Sequence, residues 1–112
     1  MKRLILCVLM MMCASTAMAG DLYNDCDIAT NGKQPDQTRV ASCYSYLTGY
    51  TDATIAAMVL TKTKWVCIPE NNTVADTARI FVKWRNDNPE KSHHDPSFQM
   101  IWALKNAFPC TK

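Results

Sequence analysis

Six cysteines and two histidines are the residues of this 112-residue chain best equipped for chemistry, as thiolate nucleophiles, metal ligands or general bases. Their spacing supports little of it. No two cysteines stand at Cys-x-x-Cys separation, which argues against a zinc site, and without Cys-x-x-Cys-His there is no haem attachment site. His93 and His94 are adjacent and followed by Asp95. Neighbouring side chains on a regular helix point too far apart to chelate one ion, so this segment reads as a polar approach to a helix that Asp95 caps. A Cys–His nucleophilic pair would need a free thiol. Gly20, Gly32 and Gly49 are too scattered to cradle a phosphate. The expectation is a protein with no catalytic residue, no metal and no cofactor.

Two of the cysteines belong to a leader. Lys2 and Arg3 form a short positive region, Leu4 to Met12 an apolar run, and Ala17-Met18-Ala19 the small residues read by signal peptidase. Cleavage after Ala19 would remove Cys7 and Cys13. The apolar run is too short to span a bilayer as a permanent helix. A lipidated Cys13 is disfavoured because Met12, not a small residue, precedes it. The expected division is residues 1–19 as a cleaved signal peptide and 20–112 as one exported domain, bound for an oxidising compartment such as the bacterial periplasm. The chain holds 12 Lys and Arg against 10 Asp and Glu. Loss of Lys2 and Arg3 balances the two, which leaves no electrostatic case for nucleic acid.

The remaining Cys26, Cys43, Cys67 and Cys110 suit a small domain whose core needs covalent reinforcement. Helical periodicity places them. Val40, Cys43, Tyr44, Leu47, Tyr50, Thr54, Ala57 and Met58 recur at helical spacing from Gln37 to about Leu60. Gly49 inside this helix points to a close backbone contact, the alternative being a bend between two shorter helices. A second helix begins at a variant capping box, Thr73 with Asp76, and runs through Ala78, Phe81 and Val82 to about Asn86, ended by Asn86-Asp87-Asn88-Pro89. A last helix starts at Asp95-Pro96 and runs to Ala107, closed by Pro109. A short helical turn covers Leu22 to Ile28, and Thr30 to Pro35 is a linking loop. Trp65, Trp84 and Trp102 read as packing residues, with Trp65 or Trp84 the alternative anchor for a partner. The fold class is all-α, a small helical bundle.

If these helices run up, down and up, Cys67 and Cys110 both lie at the top, and Cys43 at the bottom comes within reach of Cys26. That arrangement selects Cys26 with Cys43 and Cys67 with Cys110 from the three possible pairings.

Four patterns line up in order: Cys43-Tyr44-Ser45-Tyr46-Leu47-Thr48-Gly49 with Asp52-Ala53, Cys67-Ile68-Pro69, Asn88-Pro89-Glu90, and Ala103-Leu104-Lys105-Asn106-Ala107-Phe108-Pro109-Cys110. Together they resemble the Rap/Tai immunity proteins of type VI secretion systems, over roughly Leu22 to Cys110. The resemblance implies a small helical periplasmic protein, often a homodimer, that binds and inhibits a cognate secreted peptidoglycan amidase and protects the cell from intoxication by its sisters. Such a protein needs only a surface that plugs a cleft. No membrane association is expected after leader cleavage.

Of the matching residues, the four cysteines, Tyr46, Gly49, Pro69 and Pro109 look like scaffold. Toxin contacts are expected on two polar loops, Glu70, Asn71 and Asn72, and Asp87, Asn88, Glu90 and Lys91, because binding residues concentrate on loops held by rigid elements. Two other readings compete: a small periplasmic stress chaperone that exposes client-binding surface in acid, and a small hydrolase using His93 or His94.

Overall fold

Side-chain caps set where the helices begin. In the computed structural model, which describes residues 21–34 and 36–111, α1 spans Leu22–Asn31, α2 Gln37–Thr61, α3 Val74–Asp87 and α4 Pro96–Ala107, with a 3-10 turn at Pro89–Lys91. The expected leader lies outside the described residues. Asp21 accepts the Tyr23 N–H at 3.1 Å and Asp36 the Thr38 N–H at 2.9 Å, each supplying an acceptor to a helix-end donor that has no partner in its own helix. Thr73 and Asp76 form the expected reciprocal box, the Asp76 N–H donating to Thr73 Oγ1 and the Thr73 N–H to the Asp76 carboxylate, both at 3.1 Å.

Three local expectations need correction. Asp95 holds the N-cap position of α4, but its carboxylate makes no capping bond. The N–H of Phe98, at the third position of the helix, already donates to the Asp95 carbonyl at 3.0 Å. That removes a donor the side chain would have taken. The first helix continues past Ile28 to Asn31. Thr30 Oγ1 bonds the Cys26 carbonyl at 3.0 Å and Asn31 Nδ2 bonds Asp27 at 2.9 Å, which carries the last turn on to Gly32. Pro35, the last residue of the expected loop, lies outside the described residues.

The third correction is Gly49. A β-carbon built there would meet nothing within 4 Å, so no close contact among the described residues explains the glycine. The bend is absent too, since α2 is one helix of 25 residues. Gly49 faces outward, while Cys43, Leu47 and Thr54 bury the opposite side.

All regular structure among the described residues is helical. Helix α3 is the centre of the packing: α1, α2 and α4 each lie against it, and α1 also lies against α2. Ala78, Phe81 and Val82 of α3 meet Leu22 and Cys26 from α1, Cys43 and Leu47 from α2, and Met100 and Leu104 from α4. Burying side chains of this size contributes about 1.5–3 kcal/mol each. At one end, Tyr23 of α1 donates its hydroxyl to Asn86 at 2.5 Å and carries the Arg85 guanidinium over its ring at 5.1 Å. Asp25, buried, faces Arg39 at 3.7 Å and ties α1 to the start of α2.

Both expected disulfides are present. Cys26–Cys43 joins α1 to α2, with both cysteines fully buried, and Cys67–Cys110 joins the α2–α3 connection to the segment after α4.

Candidate interaction surface

The histidines do not point apart as expected. They sit in the turn between Lys91 and Asp95 rather than on a regular helix, and their rings come to 4.1 Å between centroids. His94 then meets Trp102 edge-on at 5.0 Å, with the Lys91 ammonium 5.3 Å from the same indole. The buried Gln99 side chain donates to the His94 carbonyl at 2.6 Å and pins the turn to α4. This is a packed aromatic patch. Among the described residues no group of three or more His, Cys, Asp or Glu could hold a metal ion, and every described cysteine is in a disulfide.

Two tyrosines on α2 complete the inventory of reactive groups. Tyr46 and Tyr50 stack at 6.1 Å with 15° between their rings. Burial, and secondarily the negative charge of Asp95, pushes the Tyr46 hydroxyl pKa up. Burial followed by the proximity of Tyr46 raises that of Tyr50, against a smaller lowering by its hydrogen bond with Thr54. Both stay protonated at neutral pH, and Tyr50 uses its proton to bond the Ser97 carbonyl at 2.8 Å, linking α2 to α4. Tyr46, expected as scaffold, is 37% exposed at the surface of this link.

The two polar loops sit at opposite ends of α3. Its 14 residues separate them by about 20 Å at 1.5 Å per residue, so they do not converge on one site. In the first loop the Asn72 N–H donates to the Pro69 carbonyl at 3.1 Å and the Asn72 side chain to Thr77 Oγ1 at 2.8 Å. Glu70 and Asn71 project from this turn, exposed and without side-chain hydrogen bonds among the described residues. In the second loop Asp87 pairs with Lys83 at 2.5 Å, Asn88 Nδ2 closes α3 on the Trp84 carbonyl at 2.8 Å, and Lys91 rests against Trp102. Neither Glu90 nor Lys91 makes a side-chain hydrogen bond or ion pair among the described residues, and Glu90 lacks the aromatic contact as well. Pro69 and Pro109 are exposed on either side of the Cys67–Cys110 bridge.

A surface that sequence reasoning missed lies on the far half of α2. The first turn of α3 shares a cavity of about 190 Å³ with Leu47, Thr48, Thr51 and Asp52, the middle of α2. The remaining turns of α2 therefore run past the start of α3. They leave Ile55 45%, Val59 71% and Leu60 83% exposed. A groove of about 570 Å³ opens between this overhang and the returning connection, walled by Met58, Val66 and Ile68 and rimmed by Lys62 and Lys64. A second groove, about 310 Å³, lies between α2 and α4 beneath Trp65, 37% exposed, and Phe98, 54% exposed. The signal was available in Ala56-Ala57-Met58-Val59-Leu60, which is apolar all round where a helix with one buried face needs only a stripe. Of the three tryptophans, Trp84 is buried, Trp102 half-buried and Trp65 exposed.

Comparison with known proteins is consistent with a binding protein. The family of Rap1a immunity proteins matches residues 18–110. No curated protein and no solved structure gave a significant match. A match that begins ahead of α1, takes in all four helices and ends on the second half-cystine of the Cys67–Cys110 bridge covers most of the protein: the chain belongs to the family of Rap1a immunity proteins.

Proposed function

We propose that this protein works in the periplasm as an immunity protein, binding and inhibiting a cognate peptidoglycan amidase delivered by type VI secretion and so protecting the cell from its sisters. The observation that carries this reading is the family match over residues 18–110. Three others agree with it. Residues 1–19 have the make-up of a cleaved leader, with 20–112 as the exported domain; two disulfides suit an oxidising compartment; and no helix among the described residues is long and apolar enough to cross a membrane.

Neutralisation of this kind needs no chemistry of its own. It needs a rigid projection that fits a cleft, because ordering a floppy loop on binding subtracts from affinity. The turn bearing Glu70 and Asn71 is such a projection. The Cys67–Cys110 bridge anchors it on one side and the Thr73–Asp76 capping box on the other, leaving the two side chains free to meet a partner. Asn72 supports the turn from within. The loop of Asp87, Asn88, Glu90 and Lys91 is the secondary contact, with Asp87 and Glu90 its exposed groups.

The test is co-expression with periplasm-targeted amidases, first among them any encoded by the neighbouring gene, followed by pull-down and growth assays. The expected result is stoichiometric capture of one amidase and rescue from lysis, with Glu70→Arg combined with Asn71→Arg weakening binding at least about tenfold, as charge reversal at a close contact does. If no amidase is bound, and deletion of the gene leaves cells as resistant to sister cells as before, the reading is wrong.

A further inference from the structure

The cavity of about 190 Å³ where the start of α3 meets the middle of α2 differs in chemistry from the two apolar grooves. Thr48 and Asp52 stand one helical turn apart on α2, as do Leu47 and Thr51, so the two pairs run side by side along one wall. Asn72, Val74 and Thr77 belong to the opposite wall. The lining holds one carboxylate, that of Asp52, and no Lys or Arg.

Its polar groups are unequally used. The Thr77 hydroxyl donates to the Thr73 carbonyl at 3.2 Å and accepts from the Asn72 amide at 2.8 Å, while the Thr73 hydroxyl is taken up by Asp76. These bonds make the α3 wall rigid. The Thr48 and Thr51 hydroxyls, the Asp52 carboxylate and the Asn72 side-chain carbonyl have no hydrogen bond or ion pair among the described residues. Four oxygens able to accept therefore surround one small space.

Charge and size narrow what could fill it. A helix N-terminus by itself favours an anion, but Asp76 already answers that end of α3 and is itself paired with Arg79 at 2.7 Å. The charges left unpaired on the walls and the adjoining turn are those of Asp52 and Glu70, both negative and both exposed. Pockets for small molecules begin at about 300 Å³. At 190 Å³ this one suits a single long side chain, its methylene stem lying along Leu47 and Val74.

We propose that the cavity receives an arginine side chain of the partner protein, the guanidinium donating to Asp52 and to the Thr48, Thr51 and Asn72 oxygens. Arginine suits the site better than lysine because it carries five donors in a planar fork and no acceptor, matching a carboxylate flanked by several neutral oxygens. The proposal rests on the immunity reading, which makes the effector that partner. It adds a specificity pocket for a basic residue beside the turn that bears Glu70 and Asn71.

Isotope-labelled protein purified from periplasm is titrated with Nα-acetyl-arginine methylamide in the millimolar range and followed by its amide chemical shifts. The expected result is saturable shifts at Thr48, Thr51, Asp52 and Asn72 that the uncharged citrulline counterpart does not produce and Asp52→Asn abolishes. Asp52 is exposed, so far-UV circular dichroism of that variant matches the parent. Against a captured amidase, Asp52→Asn raises the dissociation constant by about tenfold or more. Asp52→Arg removes binding, and exchange of one amidase arginine for glutamate restores it. Absent or unsaturable shifts overturn the proposal, as do equal shifts from the citrulline compound or an amidase held as tightly by Asp52→Asn as by the parent. If the parent captures no amidase, the immunity reading fails instead, and the titration alone decides whether the cavity takes a guanidinium.

Discussion

The backbone N–H of Cys67 donates to the carbonyl oxygen of Phe108 at 2.9 Å, so the Cys67–Cys110 bridge closes a junction that a hydrogen bond already holds. The two disulfides differ in their surroundings. Cys67 is exposed and Cys110 half-buried, whereas Cys26 and Cys43 are fully buried. Exchange requires a thiolate to reach a sulfur. Under limiting dithiothreitol, Cys67 and Cys110 are therefore alkylated first, giving an intermediate that keeps Cys26–Cys43 and remains helical, as mass spectrometry and circular dichroism would show. Simultaneous opening of both bridges would contradict this. By loop-closure entropy, replacing Cys26 and Cys43 with serine, which opens a sequence separation of 17, costs about 3 kcal/mol, and replacing Cys67 and Cys110, separation 43, about 4 kcal/mol.

The capping box makes the start of α3 sensitive to acid. Hydrogen bonds from the Thr73 side chain and backbone, followed by the nearby Arg79, hold the Asp76 pKa below its ordinary 3.8. A depressed folded-state pKa contributes stability that is present above the unfolded value and lost as pH falls through the folded one. Asp76→Ala is therefore less stable than the parent at pH 7, and the gap narrows below about pH 4 as the parent carboxylate protonates. Thermal melts across that range measure it. Thr73→Ala, which removes the hydroxyl partner, lowers stability by about 1 kcal/mol at neutral pH.

Gly49→Ala stabilises the protein. A methyl group at this position enters open space, and alanine avoids the entropy that glycine loses in a helix, so the gain is up to about 1 kcal/mol in urea unfolding. A loss of stability would mean that the α2 backbone at Gly49 is closer to a neighbour than it stands here.

Replacing His93 and His94 together with alanine leaves protection intact. Their rings pack on each other and on Trp102, and no metal-ligating group surrounds them among the described residues. Growth under amidase challenge, compared with the parent, is the measurement. Abolished protection with unchanged folding and binding would revive a catalytic role for the pair.

The sequence by itself determined what depends on groups within a few residues of one another. The Thr73 side chain meets the backbone N–H of Asp76 three positions away, so type and spacing sufficed to place the start of α3, while the Asp21 and Asp36 caps were recognised only in the structure. The cysteine pairing was also legible, because helix order and length put each cysteine at one end of the bundle. What needed the tertiary structure was every statement about a face. Where α3 lands along α2 decides that Leu47 is buried while Val59 and Leu60, equally apolar, stand in solvent. The same geometry leaves Gly49 without a neighbour among the described residues, sets the two polar loops at opposite ends of α3, and folds His93 onto His94. Helical periodicity gives the angle of a side chain about its own axis and carries no information on how far the next helix reaches along it.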